Sequence, residues 1–520
     1  MRSFLRLLPS LALLQSAFAA TAEDWRGRSI YQVIVDRFAL PEGADPTKCD
    51  PGAQTWCGGT WNTLRDNLDY IQDMGFTAVW ISPVNQNYEG PRTPYGDAYH
   101  GYWIADHSQL NSRFGTAEDL KALSDELHKR GMYLMVDVVV NDVMAPSMKP
   151  DYSTYMFKDQ SLYHPYCAIS WDLDTENPTV VAGFSSWVKD MVTTYAIDGL
   201  RIDAAKHVGP GFWPQFCGAA GVFCIGEVFG SDIDEAASYQ SDTELDSILN
   251  YPMYTALMDA FAIPGELNTS SITDTLDAYK TKFKDPGLLG NFLENQDLPR
   301  WANVSVDPQS MYNAMVFNFM SDGIPIVYYG QEQGFSGNAD PWNREPLWPS
   351  KYANNSATAM VASLNQFRNY LVNNSTNDWL HSKVQVLTTD KHGLAIMKGE
   401  VVSILTNIGS PPANVSLAVY TPYSNNLAMT DILSCRQYVV GSNGTLSVEY
   451  TLGGQAKVIV PTTSLQNSGI CGAQIQAVQQ TTGQLADNAA GRLSVPHSLA
   501  GGLVLSLVLT VLGLVGNLVM

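Results

Sequence analysis

The sequence predicts an α/β fold: a (β/α)8 TIM barrel with a short inserted domain after its third strand, followed by a C-terminal antiparallel β-sandwich. Between about residues 30 and 330, short β-branched apolar runs alternate with helical patterns, as in a parallel sheet covered on both faces. After about residue 380, strand-like runs recur about every ten residues between Gly, Asn, Ser and Pro. Hydrophobic residues make up 45% of the chain and charged residues 16%, which is typical of a folded protein.

Eight apolar runs supply the predicted barrel strands. They are IYQVIV (30–35), FTAVWIS (76–82), MYLMVDVVV (132–140), GLRID (199–203), VFCIGEV (222–228), a weaker SILNYPM (247–253), LLGNFLE (288–294) and IPIVYYG (324–330). Eight strand–helix units are the number that closes a parallel sheet into a barrel. The runs assigned to the sandwich are VQVLTT, GLAIMKG, VVSILTN, LSVEYTL and KVIVPTT.

The helices between the strands carry start and stop signals. Thr116 followed by Asp119 predicts a capping box, and Gly131 predicts the end of that helix. Its apolar face consists of Leu120, Leu123 and Leu127. A second helix is predicted over residues 62–75, with an inward face of Leu64, Leu68 and Ile71.

The two ends of the chain carry targeting signals. Arg2 and Arg6, an apolar run at 7–14 and the small-x-small tripeptide 17–19 predict a cleaved signal peptide rather than an apolar helix of the domain. Residues 499–520 hold no charge in 22 positions and are not followed by basic residues.

Small residues and a short spacer precede that apolar tail. Asn488, Ala489 and Ala490 are followed by the spacer 491–498, the pattern of a glycosylphosphatidylinositol (GPI) anchor signal whose tail is removed. We predict Asn488 as the ω-site, with Gly491 as a second candidate, and a retained tail helix as the alternative. The predicted segments are a signal peptide (1–19), the barrel (20–380) with a reduced insertion (141–174), the sandwich (381–475), a flexible stalk (476–488) and the anchor propeptide (489–520).

The charge balance excludes some partners. The chain has 30 basic and 51 acidic residues, a net charge of −21. Removal of Arg2, Arg6 and Arg492 with the two signals leaves 27 basic against 51 acidic residues, a net charge of −24. Such a surface repels nucleic acid, so membrane attachment is expected through the GPI anchor alone. We expect a monomer, secreted to the outer face of the plasma membrane or to the cell wall.

Sequons and cysteines agree with a secreted protein. Seven asparagines lie in Asn-x-Ser/Thr sequences: Asn268, Asn303, Asn354, Asn373, Asn374, Asn414 and Asn443. Seven cysteines leave at least one unpaired. We predict disulfides between Cys49 and Cys57 and between Cys435 and Cys471. The pairing of the other three, Cys167, Cys217 and Cys224, is open.

Charged residues close several of the apolar runs: Asp137, Arg201, Asp203, Glu227 and Asp297. Because reacting groups in such barrels lie at the C-terminal ends of strands, we expect Asp203, Glu227 and Asp297 to converge at one mouth. Paired carboxylates suit glycoside hydrolysis, in which one attacks the anomeric carbon and another protonates the leaving oxygen. Arg201, two residues before Asp203, lies on the same side of its strand and would keep that carboxylate ionised.

These residues lie within a family resemblance. The stretches DVVVND (137–142), GLRIDAAKH (199–207), GEV (226–228) and FLENQD (292–297) resemble the four sequence regions of the α-amylase family. DWRGRSIYQVIVDRF and YGDAYHGYW are similar to secreted fungal α-amylases, and the likeness covers about residues 21–475. It implies an enzyme with Asp203 as nucleophile, Glu227 as acid/base and Asp297 as third carboxylate. It also implies substrate contacts at His100, Tyr102, Trp103, Arg201, Lys206, His207, Gln296, Asp340 and Arg344.

Two departures from the family pattern bear on activity. Asp142 and Gln296 stand where the family has histidines that donate hydrogen bonds to the sugar at the cleavage subsite. Gln296 can still donate, whereas an ionised Asp142 can only accept. The loss predicts slow hydrolysis rather than an inactive scaffold, because the three carboxylates remain.

The resemblance also implies a calcium site. Asn141, Asp172 and the His207 carbonyl match family ligands, but the segment that supplies a further acid and a disulfide partner is missing. Calcium prefers six to eight oxygen ligands, so we expect weaker binding. The same deletion leaves Cys167 to pair with Cys217 or Cys224.

The combined features resemble the GPI-anchored α-glucanotransferases of filamentous fungi. We therefore predict a retaining 4-α-glucanotransferase acting on starch-like α-1,4-glucan or maltooligosaccharides in cell-wall metabolism. The alternatives are an α-amylase that mainly hydrolyses, and a non-catalytic glucan-binding surface protein.

Overall fold

The computed structural model describes residues 20–145, 149–164, 170–241, 244–374 and 378–472. The predicted signal peptide, stalk, ω-site and anchor tail lie outside these residues, as does Cys167. Within the described ranges, no helix is both long and apolar enough to cross a bilayer.

Eight parallel strands form the predicted barrel. They are β1 Ile30–Val33, β2 Ala78–Ile81, β3 Tyr133–Val138, β4 Gly199–Ile202, β5 Phe223–Gly226, β6 Ser247–Ile248, β7 Gly290–Asn291 and β8 Ile324–Tyr328. The sheet order is β6-β5-β4-β3-β2-β1-β8-β7. A parallel bridge from Leu249 to Gly290 joins the two outer strands and closes the circle.

The thirteen α-helices of the described residues include those that cover the barrel. They are α1 Ala22–Arg26, α2 Val35–Phe38, α3 Trp61–Asp66, α4 Leu68–Asp73, α5 Ala117–Lys129, α6 Pro178–Tyr195, α7 Trp213–Ala220, α8 Ile233–Ser238, α9 Tyr251–Phe261, α10 Ser270–Lys282, α11 Trp301–Val304, α12 Pro308–Met320 and α13 Ser356–Asn374. Thr116 and Asp119 form the predicted capping box of α5.

The prediction of a single helix over residues 62–75 is wrong. Asn67 leaves the helical region at φ −117° and ψ 18°, so that α3 ends and α4 begins there. Its side-chain amide donates to the Thr63 carbonyl at 2.8 Å, a local bond that competes with the helical pattern. The predicted inward residues Leu64, Leu68 and Ile71 are nevertheless buried.

Two hairpins extend from the C-terminal ends of barrel strands. After β2, strand Asn85–Asn87 pairs with Ile104–Leu110. After β3, Asp142–Met144 pairs with Ser170–Asp172, which forms the core of the short insertion. Both excursions lie on the side of the barrel where the predicted site residues converge.

The C-terminal region is antiparallel. Its strands are β9 Gln385–Thr389, β10 Gly393–Lys398, β11 Val401–Thr406, β12 Ser416–Tyr420, β13 Ala428–Asp431, β14 Gln437–Val439, β15 Thr445–Glu449 and β16 Lys457–Pro461. A six-stranded sheet, β9-β10-β11-β16-β13-β14, and the pair β12-β15 enclose a shared apolar cluster that includes Val402, Leu417 and Ile459. Strands β12 to β14 were not predicted.

Both predicted disulfides are present, Cys49–Cys57 and Cys435–Cys471. Cys217 and Cys224 are free thiols. All seven sequon asparagines are exposed, and their glycosylation stays a prediction.

Candidate active site

Three acidic side chains lie beyond the C-terminal ends of β4, β5 and β7. Asp203 and Glu227 directly follow β4 and β5, and Asp297 lies in the segment after β7. A cleft of about 350 Å³ is lined by Asp203, Asp297, Tyr102 and Gln296 among others. Glu227 joins the group through Arg201, which contacts both Asp203 and Glu227.

Arg201 is fully buried behind the cleft and contacts three carboxylates. Its Nη1 lies 2.8 Å from Asp203 Oδ1 and 2.9 Å from Asp137 Oδ1, and its Nη2 lies 2.8 Å from Glu227 Oε2. Burial raises the pKa of Asp203 well above its usual range, and the Arg201 cation opposes that shift. Burial also raises the pKa of Asp137, to about 6, with Arg201 again opposing. One guanidinium thus favours the ionised form of the carboxylates around it.

The Glu227 carboxyl is held by donors on both oxygens. Oε2 accepts from the Ala204 amide at 3.0 Å, in addition to its contact with Arg201. Oε1 accepts from the Tyr251 hydroxyl at 3.1 Å, and that hydroxyl accepts from Asn295 Nδ2 at 3.1 Å. Tyr251 is the first residue of α9 and closely follows β6. Even this two-residue barrel strand therefore positions a side chain at the site.

Asp297 lies in a second charged cluster. Arg344 Nη2 is 3.3 Å from Asp297 Oδ1, and Arg344 Nη1 is 3.1 Å from Asp340 Oδ1. Burial raises the pKa of Asp297, and Arg344 opposes the shift. The cluster joins the predicted substrate residues Asp340 and Arg344 to the third carboxylate.

An aromatic group forms another wall of the cleft. His100 and Tyr102 stack with ring centroids 5.8 Å apart, and Trp103 packs edge-on against His100. Burial lowers the pKa of His100 well below its usual range, so the ring is neutral. Its Nδ1 accepts from the Tyr102 amide at 3.0 Å, which leaves Nε2 as the N–H donor. The Tyr102 hydroxyl donates to Asp137 Oδ2 at 2.8 Å.

Gln296, one of the two departures from the family pattern, is held from behind. Gln32 on β1 donates from Nε2 to Gln296 Oε1 at 2.6 Å, and both side chains are buried. Because the Gln296 oxygen is engaged, its amide nitrogen is the group left to donate into the cleft.

Besides Arg201, which lies behind the cleft, two predicted substrate residues, Lys206 and His207, are not among the cleft-lining residues that the structure describes. The Lys206 ammonium forms an ion pair with Glu235 at 2.7 Å and donates to the Phe229 carbonyl at 3.2 Å. The side chain of His207 is exposed.

Two of the predicted calcium ligands, Asn141 and Asp172, lie at the insertion hairpin. Asp142 and Asp172 are directly opposite each other in that hairpin, and burial together with Asp172 raises the pKa of Asp142. Asp172 also accepts from His164 Nδ1 at 2.9 Å. Two opposed carboxylates beside Asn141 give an oxygen-rich donor set that a hard cation would neutralise, so these residues fit calcium.

Several residues of the site were not predicted from the sequence. Gln32 is a single polar residue inside an apolar strand, and Tyr251 follows the weakest strand. Tyr95 and Phe229 are exposed aromatic side chains, 58% and 52% accessible; Tyr95 lines the cleft, and Phe229 lies two residues beyond Glu227. Only the position of Phe229 near the end of β5 could have indicated a role, and no sequence signal indicated Tyr95.

Comparison with known proteins identifies the family of the chain. The family model described as "Alpha amylase, catalytic domain" matches residues 32–161 and 146–379, and "Alpha-amylase, domain C" matches residues 386–479. "Alpha-amylase 2" of Schwanniomyces occidentalis is 41% identical over 492 residues, covering 88% of this chain and 94% of the relative. "Alpha-amylase" of Saccharomycopsis fibuligera is 40% identical over 488 residues, with 88% and 97% coverage. The solved α-amylase of Malbranchea cinnamomea superposes with a TM-score of 0.83 at 40% identity, covering 87% of this chain and 100% of that one.

The barrel, the C-terminal sheet domain and these matches define a glycoside hydrolase that acts on α-glucans. The chain belongs to the α-amylase family.

Proposed function

We propose that this enzyme is a retaining 4-α-glucanotransferase, which cleaves an α-1,4-glucosidic bond and passes the chain to another glucan in preference to water. The observation that carries the proposal is Phe229, a half-exposed phenyl ring two residues beyond Glu227. Its centroid lies 4.9 Å from that of Tyr251, the residue that holds Glu227.

The carboxylates divide the chemistry between two steps. Asp203 attacks the anomeric carbon and forms a glucosyl–enzyme bond while the glycosidic C–O bond breaks, and Glu227 gives its proton to the departing oxygen. Asp297 accepts hydrogen bonds from sugar hydroxyls, with Arg344 fixing its orientation. In the second step Glu227 takes the proton of an acceptor hydroxyl, whose oxygen displaces Asp203.

Phe229 favours a sugar as that acceptor. Because Glu227 serves both the leaving and the attacking oxygen, the acceptor lies beside it and within reach of Phe229. The apolar face of a sugar ring gains about 25 cal/mol per Å² of buried area on such a ring, whereas water gains nothing. Replacement of the family's two histidines by Asp142 and Gln296 further supports slow hydrolysis.

A product ladder from one defined maltooligosaccharide tests the proposal. Incubated with maltopentaose, the enzyme is expected to produce chains both shorter and longer than the substrate. Products that are exclusively shorter at every substrate concentration would contradict transfer and establish the alternative, an α-amylase that mainly hydrolyses, which the names of the relatives favour.

Phe229→Ala should change the choice of acceptor. We expect the ratio of transfer to hydrolysis to fall about tenfold, because roughly 50 Å² of apolar contact is worth about 1.3 kcal/mol. Total bond cleavage should change much less. Trp342→Ala is the matched control, since Trp342 is equally exposed, at 51%, but belongs to the Asp340–Arg344 side. An equal fall in both variants would remove the role assigned to Phe229.

Gln32 is proposed to act through Gln296 as a positioning residue. In Gln32→Glu an ionised carboxylate cannot donate to Gln296 Oε1, so the amide should rotate and lose its donor in the cleft. We expect kcat to fall about tenfold at neutral pH. Protonation at low pH restores a donor, so the deficit should shrink as pH falls. Gln32→Met should show a deficit that does not depend on pH; identical pH profiles for the two variants would contradict this role.

We infer that calcium is held by Asn141, Asp172 and the His207 carbonyl, with Asp142 as an additional carboxylate. Calcium would tie the insertion hairpin to the end of β3 and would cancel the repulsion between Asp142 and Asp172. Chelation should therefore lower the Tm, and added calcium should restore it. Asp142→Asn reduces the repulsion without calcium. The Tm of this variant in the absence of calcium should therefore lie above that of the calcium-free parent and closer to that of the calcium-loaded parent. An unchanged Tm of the parent on chelation would refute the site.

The targeting signals complete the proposal. A signal peptide and GPI attachment at Asn488 would place the catalytic barrel outside the cell, beside wall α-glucan. Seven exposed sequon asparagines and two disulfides support export.

A further inference from the structure

A second concave surface lies between the hairpin strand Ile104–Leu110 and helix α6. It has a volume of about 510 Å³, within the range of about 300–1,000 Å³ typical of small-molecule sites. It shares none of its described lining residues with the catalytic cleft. We call it the α6 groove.

Two buried acceptors in the α6 groove lack partners among the described residues. His107 is 1% exposed, and its Nε2 lies 2.8 Å from the Val139 carbonyl, so Nε2 carries the hydrogen and Nδ1 is left with a free lone pair. Asn85 is 2% exposed and donates through Nδ2 to the His107 carbonyl at 2.8 Å, which leaves its Oδ1 unpaired. Burial lowers the pKa of His107 to about 4, so the ring is neutral at physiological pH.

These two atoms favour a ligand that carries hydrogen-bond donors. A buried acceptor without a donor costs about 1–3 kcal/mol. Both atoms can be satisfied only by a hydrogen-bond donor, and a molecule seated in the groove that presents such donors would recover this free energy. Hydroxyl groups are donors of this kind.

The walls indicate the rest of the ligand. Trp187 and Tyr195 supply aromatic surface, and Trp187 is backed by Phe216, with centroids 6.4 Å apart and ring planes at 28°. Among the described lining residues there is no lysine or arginine, and Asp190 is exposed at the rim. Anions are therefore disfavoured, and a neutral molecule with hydroxyl donors and an apolar face is favoured.

We propose that the α6 groove is a second binding site for α-1,4-glucan, in which sugar hydroxyls donate to His107 and Asn85 and a ring face packs on Trp187. The choice of α-glucan rests on the proposed function. A chain held there as well as in the cleft would be bound by two linked contacts, which raises the effective concentration of glucan at the active site.

The test separates binding from catalysis. In a catalytically silent Glu227→Gln background, maltoheptaose is titrated by calorimetry and soluble starch by affinity electrophoresis. Ser186→Arg places a large side chain in the groove from an exposed position of α6. Thr193→Arg makes the same change of charge at an exposed residue of α6 that is not among the groove residues.

The parent should show two classes of maltoheptaose site. Ser186→Arg should show one, with starch affinity reduced about tenfold through the loss of linked binding. Thr193→Arg should behave as the parent, and Ser186→Arg in the active enzyme should leave the maltopentaose product ladder unchanged. A single class of site in the parent, or equal binding of Ser186→Arg and parent to starch, would overturn the site. Equal competition by the β-1,3-glucan laminarin would overturn its assignment to α-glucan. If maltopentaose gave no products longer than itself while the parent still showed two classes of maltoheptaose site, the transferase proposal would be wrong and the glucan site in the α6 groove would stand.

Discussion

Arg201→Lys is expected to lower kcat/KM on maltooligosaccharides by about a thousandfold while the protein stays folded. Arg201 reaches Asp203 and Asp137 through Nη1 and Glu227 through Nη2, all at 2.8–2.9 Å. A lysine ammonium is a point charge and cannot span these partners with a planar fork. Breaking part of a buried charge cluster costs about 3–5 kcal/mol, which corresponds to about three orders of magnitude in rate if it falls on the transition state.

The pH profile separates this electrostatic role from simple loss of packing. As the proposed nucleophile, Asp203 must be ionised to attack, so activity should be lost as pH falls through its pKa. Burial raises that pKa and Arg201 opposes the rise, so weakening Arg201 should move the acidic limb of the kcat/KM profile to higher pH. Arg37→Lys is the matched control, because Arg37 is equally buried and paired with Asp36, outside this cluster. An acidic limb that does not move would exclude the electrostatic role.

The barrel could be predicted because each of its strands can be recognised from a short stretch of sequence. Strands buried on both faces are continuous apolar runs, so even β6 and β7, each two residues long, were found within such runs. The three candidate catalytic acids were predicted for the same reason, since a charge that ends an apolar run is conspicuous. In β12, buried and exposed residues alternate over five positions, and β14 is only three residues long. Their hydrophobic patterns were too weak to reveal them.

The supporting residues could not be predicted because they depend on contacts between distant segments. Gln32 and Gln296 are 264 positions apart, and Asp142 faces Asp172 only once the insertion folds into a hairpin. The break at Asn67 is a further case, since one side-chain hydrogen bond overrides an apolar pattern that continues across it. Tyr251 is the most consequential of these omissions, because its hydroxyl donates directly to Glu227, the proposed acid/base.

Tyr251→Phe is expected to impair cleavage in proportion to how much the leaving group needs a proton. The substitution removes the hydroxyl that donates to Glu227 Oε1 and that accepts from Asn295, while keeping the ring packed against Phe292, 5.0 Å away. General acid catalysis by a positioned carboxyl contributes about 10²–10⁴-fold, so a loosened Glu227 should lower kcat on maltopentaose by about a hundredfold.

α-Maltosyl fluoride provides the discriminating measurement. Fluoride departs with little assistance from an acid, so the first step on this substrate relies on Asp203 and should be nearly unaffected in Tyr251→Phe. Tyr254→Phe is the control, because Tyr254 stacks on the same Phe292 ring at 5.6 Å without contacting Glu227. Equal losses on both substrates would mean that Tyr251 supports the whole site. A loss confined to the glucan would show that the hydroxyl acts through the orientation of Glu227, as the hydrogen bonds to its two oxygens imply.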